Sequence, residues 1–112
     1  MILSCMASWI WNQSAQEYTL DLEDRCRAFV RKVRDPKTRV LEIYPLSQGN
    51  RLYSANYLPK SGELLESGNY ELFARHQDAL ESSTGIFQQD VSSFKSIFVA
   101  IQEKHLALDE ES

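Results

Sequence analysis

Arg25–Tyr53, RCRAFVRKVRDPKTRVLEIYPLSQGNRLY, is the stretch whose reading decides the fold. Just upstream, Leu22 begins an apolar series continued by Cys26, Phe29, Val30 and Val33. Their spacing of i, i+4, i+7, i+8 and i+11 matches one face of a helix and predicts one over 21–34. Asp21 is an acceptable N-cap, with Glu23 and Asp24 at the positive end of the helix dipole. Arg31, Lys32 and Arg34 fall at the negative end, and Pro36 disfavours helical geometry in Asp35. Asp35-Pro36-Lys37-Thr38 then reads as a turn. Residues 39–46 alternate Val40, Glu42 and Tyr44 with Leu41 and Ile43, as a strand does. Ser47-Gln48-Gly49-Asn50 supplies a reversal, because Gly49 and Asn50 can both take positive φ. Residues 51–58 return as the second strand of a hairpin.

Toward the N-terminus, the run MILSCMASWIW is apolar but shorter than the ~20 residues of a membrane span. It lacks the charged flank of a secretory signal. Trp9 and Trp11 either cover one end of the core or form a protein interface. Toward the C-terminus, residues 59–69 read as a loop punctuated by Gly62 and Gly68. The alternation from Tyr70 to Gln77 suits a third strand, with a helix as the runner-up because Glu71, Leu72 and Ala74 are good helix formers. A helix over 91–106, capped by Asp90, presents Val91, Phe94, Ile97, Phe98 and Ile101 on one stripe. The expected fold is α+β: a three-stranded antiparallel sheet with two amphipathic helices packed on one face, in the order α-β-β-β-α. An apolar arm (1–18) precedes this single domain (19–108), and an acidic tail (109–112) follows it. The second face of such a sheet is left open.

Charge is distributed unevenly. The chain carries −4 overall, yet seven of its twelve Lys and Arg residues lie between Arg25 and Arg39. With only Asp35 opposing them, that window carries +6 and the remainder −10. A uniformly basic, nucleic-acid-coating protein is excluded, whereas an oriented contact through one patch is not.

Catalytic and metal signatures are missing from the sequence. His76 has no metal-ligand neighbour at helical spacing and His105 has only Asp109, and Cys5 and Cys26 show no zinc-type pattern. Cys26 sits on an apolar stripe, where thiols are usually inert. There is no glycine-rich phosphate loop. Two cysteines without a close pair fit a reducing compartment, so a cytoplasmic protein with no membrane span and no cofactor is expected. The first expectation for function is a small non-catalytic subunit or adaptor that binds a protein partner in a larger assembly. An RNA-binding subunit is the alternative, and a small enzyme with a site not visible in sequence comes third. The residues expected to bind a partner or nucleic acid are Arg27, Arg31, Lys32, Arg34, Lys37, Arg39 and Arg51, with Trp9 and Trp11 as a protein interface. Tyr44, Tyr53 and Tyr57 would strengthen the RNA alternative if they face outward, since bases stack on aromatic rings.

One family resemblance adds to this. Asp35-Pro36, Arg39-Val40, Tyr44, Ser47, Gly49-Asn50 before Leu52, and Gln89-Asp90-Val91 together resemble the smaller Alu-domain subunit of the signal recognition particle. The likeness covers roughly residues 22–106 and includes the expected helix, three strands, helix order. It implies a heterodimer with a second subunit of the same fold, paired sheets gripping the Alu RNA, and a role in translation arrest. Arg39 and Arg51 would then be the first candidates for RNA contact.

Overall fold

The computed structural model describes residues 9–32, 38–58, 61–81 and 91–111. Six strands follow one another: β1 (Ile10–Asn12), β2 (Glu17–Leu22), β3 (Cys26–Lys32), β4 (Arg39–Pro45), β5 (Tyr53–Leu58) and β6 (Glu63–Gly68). Each pairs antiparallel with the next, giving one sheet in the order β1-β2-β3-β4-β5-β6. Three helices come after the sheet: α1 (Tyr70–Arg75), α2 (Gln77–Glu81) and α3 (Val91–Glu111).

Strand register divides the side chains between two faces. Leu20 lies opposite Ala28, Ala28 opposite Ile43, and Ile43 opposite Tyr53, so these residues share a face. With Leu22, Cys26, Val30, Leu41 and Ala55 they form the sheet half of the core. Leu72, Phe73, Leu80, Ile97, Phe98 and Ile101 supply the helical half. The ring of Phe73 bridges the layers, stacking on Tyr53 at 5.6 Å and on Phe98 at 6.2 Å. Trp9 closes one end: it is buried, and its indole N–H donates to the Leu80 carbonyl at 3.1 Å. A buried indole needs such a partner, and this one ties the start of the sheet to α2.

Several expectations are corrected. Among the described residues the sheet has six strands rather than three, and three helices accompany it rather than two. The helix expected over 21–34 does not form within the described residues. Residues 21–22 end β2, Glu23–Arg25 turn, and Cys26–Lys32 form β3, while 33–37 lie outside the described residues. The spacing was ambiguous for a physical reason: a step of four is also a multiple of two. Leu22, Cys26 and Val30 therefore satisfy a strand as well as a helix. Phe29 decides between them, because it stands on the face opposite Val30. Nothing in Glu23-Asp24-Arg25 announces a turn through Gly or Pro, yet Asp24 and Arg25 take positive φ of 66° and 58°. Asp is one of the few residues that tolerates this region.

The expected arm contains the edge strand β1 and the start of β2. The expected 59–69 loop contains β6, whose Leu64 and Glu66 face the helices and whose hydrogen bonds come from β5. Tyr70–Arg75, expected as a strand, is helix α1, begun by Asn69 whose side chain accepts the Glu71 N–H at 2.9 Å. The expected α-β-β-β-α order is thereby replaced. β4 and β5 lie where the hairpin is read from the sequence, but their connection runs through 46–52 and neither Gly49 nor Asn50 takes positive φ. The last helix continues through Glu111, into the stretch read as an acidic tail. No described helix is long and apolar enough to cross a membrane.

Candidate functional site

All three helices pack on one face, so the other is uncovered by any described helix. Strand alternation sends Arg27, Phe29 and Arg31 of β3 and Val40, Glu42 and Tyr44 of β4 to that open face. Ser54 and Asn56 of β5 join them, pairing with Glu42 and Val40 respectively. Phe29 and Tyr44 meet edge to face, with ring centroids 5.7 Å apart. Around them lies a groove of about 510 Å³ lined by Glu17, Arg27, Phe29, Arg31, Tyr44 and the 45–49 segment. A second hollow of about 320 Å³ lies beside it, lined by Arg31, Val40, Glu42, Arg51, Ser54, Asn56, Leu65 and Ser67 among others. Arg31 borders both.

Glu42 is the electrostatic centre of this face. Its side chain is only 4% exposed, and its two oxygens accept from different arginines. Arg31 donates to Oε1, and Arg51 donates to Oε2 at 2.9 Å. The arginine side chains themselves are 37% and 44% exposed. A carboxylate that deep is tolerated only when paired, and here it also fixes the direction of two guanidinium groups. Arg27 makes a separate pair with Asp21, whose carboxyl is held below its ordinary range chiefly by that hydrogen bond.

The expected site residues are dispersed. Arg27, Arg31 and Arg51 come together on the open face. Arg39 points to the helix side, is buried, and donates to the Thr38 carbonyl at 3.2 Å. The backbone of Lys32 ends β3, while Arg34 and Lys37 lie outside the described residues. Trp9 is in the core, whereas Trp11 is partly exposed beside Tyr18 at the β1 edge. Of the hairpin tyrosines, Tyr44 faces the open side, and Tyr53 and Tyr57 face the helices. Phe29 and Glu42 were not among the expected site residues. Period-two alternation in CRAFVRK would have found Phe29, but no local signal marks Glu42 as buried.

Two further clusters lie elsewhere. Asp24 Oδ2 accepts from Arg75 at 2.7 Å and from His76 Nε2 at 3.1 Å. Cys26 is near, but burial pushes its thiol pKa up, the charge of Asp24 adds to that, and its S–H donates to the Asp24 carbonyl. With His76 Nε2 committed to Asp24, these residues do not make an activated nucleophile. At the other end, Glu66 accepts from Tyr53, from His105 Nε2 at 2.8 Å and from Lys104 at 3.2 Å. The Tyr70 ring stacks on His105 with centroids 3.5 Å apart. This cluster ties α3 to β6. Among the described residues, no three His, Cys, Asp or Glu side chains are grouped to hold a metal.

Comparison with protein-family models, with curated proteins and with solved structures finds no match to the chain.

Proposed function

We propose that this chain is a non-catalytic cytoplasmic subunit that holds a segment of a partner protein against the open face of its sheet. The observation that carries the reading is the make-up of that face. Arg27, Arg31 and an aromatic pair line a groove, Arg51 lines the hollow beside it, and no lysine stands on the face among the described residues. Arg, Tyr and Phe are enriched in protein–protein interfaces, and Lys is depleted. An extended segment suits this face because one such chain can enter both hollows, which share Arg31.

An RNA-binding subunit, as the signal recognition particle resemblance implies, is the second reading. The Phe29–Tyr44 pair beside Arg27 and Arg31 favours it, since bases stack on such rings. Against it, Glu17, Asp21 and Glu42 offset the three arginines, and phosphate backbones require a surplus of cations.

A photo-crosslinking amino acid placed at Tyr44, and for comparison at Val99 on the outer side of α3, separates the readings in cell extract. A nuclease-resistant protein adduct from Tyr44, lost when Arg31→Glu is added, is expected. A nuclease-sensitive adduct gives the second reading its support. Adducts from Val99 alone overturn the choice of face.

A further inference from the structure

Resting on the reading above, we infer that the hollow between Arg31 and Arg51 is a subsite for one carboxylate side chain, Asp or Glu, of the partner's extended segment. Two guanidiniums share the single carboxylate of Glu42, so this three-residue cluster by itself carries one positive charge more than negative. Glu66 also lines the hollow, but its carboxylate is taken up by Tyr53, His105 and Lys104. Glu17, opposite Arg31, lines the adjoining groove and not this hollow. Each guanidinium has five N–H donors, and Glu42 accepts through only one oxygen from each. Both arginine side chains remain more than a third exposed and both line the hollow. Ser54 and Asn56 stand beside them and offer neutral donors. Because Glu42 is buried and locks both arginines, an incoming anion meets groups already oriented, which lowers the ordering cost of binding.

The charge count also chooses the anion. One carboxylate neutralises the surplus, whereas a phosphate of about −1.5 to −2 would leave excess negative charge beside Glu42. The Phe29–Tyr44 pair lies in the adjoining groove, across Arg31. Phe29 stands opposite Glu42, and Tyr44 lies two residues from it along β4. An extended chain rises roughly 3.4 Å per residue, so a side chain two to four positions from the carboxylate spans that separation. The segment therefore combines an acidic residue with an aromatic or large apolar residue at that spacing.

Selection of random heptapeptides on the immobilised full-length protein tests this. Enriched peptides are expected to share Asp or Glu two to four residues from an aromatic or large apolar residue, and to compete with the Tyr44 crosslink. Changing the acidic residue to its amide should weaken binding by about tenfold to a hundredfold, the range for hydrogen bonds to charged groups. Arg51→Gln should cause a similar loss, with circular dichroism unchanged, and the two losses should not add. Arg31→Lys, which keeps charge without the fork, should recover only part of the affinity. Phosphoserine at the acidic position should bind more weakly than Glu. Neutral peptides that compete at Tyr44 would sink the carboxylate subsite while leaving the binding face standing. Acidic peptides that do not compete there, or whose affinity Arg51→Gln leaves unchanged, would overturn the subsite, as would a selection that enriches nothing.

Discussion

Asp24, in the turn between β2 and β3, accepts a hydrogen bond from His76 at the C-cap of α1, with Oδ2 and Nε2 3.1 Å apart. The residues are 52 positions apart in sequence, so a left-handed turn that lacks glycine is held by a contact from the far side of the chain. Since a carboxylate only accepts, Nε2 carries the proton in this bond.

Acid should therefore loosen the protein in two places. The hydrogen bond from Arg75, opposed by some burial and reinforced by His76, holds the Asp24 carboxyl below its ordinary 3.8. Burial pushes Glu66 up, but Tyr53, His105 and Lys104 together outweigh it and leave the carboxyl below its ordinary 4.5. Where folding lowers a carboxyl pKa, the unfolded chain takes up the proton first, so stability rises with pH across that window. It is fully present above the ordinary values and is lost as pH falls through the folded ones. Melting temperatures measured from pH 6 down to pH 2 should fall, and Asp24→Asn should flatten part of the decline. A flat profile in the unsubstituted protein would refute the assignment.

Tyr53 should behave oppositely at the alkaline end. Burial, then the hydrogen bond to Glu66 and the Glu66 charge, push its phenol well above the ordinary 10.0. A raised acid pKa stabilises the fold below the unfolded value, and that contribution is lost as pH rises beyond it. Absorbance titration should show one tyrosine ionising only together with unfolding. Tyr53→Phe should remove that component and cost about 1 kcal/mol in denaturant melts, the usual net worth of a hydrogen bond.

The Arg31–Glu42–Arg51 cluster should be strongly non-additive. Either arginine alone can keep Glu42 paired, so each single Ala substitution should cost about 1 kcal/mol. Removing both leaves a buried, unpaired carboxylate, and the double variant should lose about 3–5 kcal/mol. Urea melts of the four proteins in this cycle measure the coupling; simple additivity would mean that Glu42 reaches water.

Gly68 and Gly62 both have positive φ but should respond differently to alanine. A Cβ at Gly68 (φ +104°) would lie 2.3 Å from the Leu52 carbonyl oxygen and 2.8 Å from Tyr53 Cα, both backbone atoms. Gly68→Ala should cost about 3 kcal/mol or more. At Gly62 (φ +72°) the same Cβ meets open space, so only the left-handed backbone penalty of about 1–2 kcal/mol applies. Equal melting temperatures for the two variants would contradict this contrast.

Local sequence determined the elements whose signals are self-contained. The β4–β5 hairpin follows from alternation within 39–58, and α3 from an apolar stripe long enough to exclude a strand. Arg27, Arg31 and Arg51 were likewise recognisable as candidates from charge and position. Tertiary structure decided the rest. Leu22, Cys26 and Val30 fit both periods, and only pairing with β2 and β4 makes their segment a strand. β6 has weak intrinsic signals and forms because β5 supplies its partners. The same pairing split the basic cluster between two faces, sending Arg39 inward and Arg31 outward. It also gathered Glu42 of β4, Arg31 of β3 and Arg51 of the 46–52 connection into one ion-paired group. Hydrogen-bond partners from other strands set register, and register sets which face each side chain occupies. The open face is consequently a property of the assembled sheet, which no short window of this sequence contains.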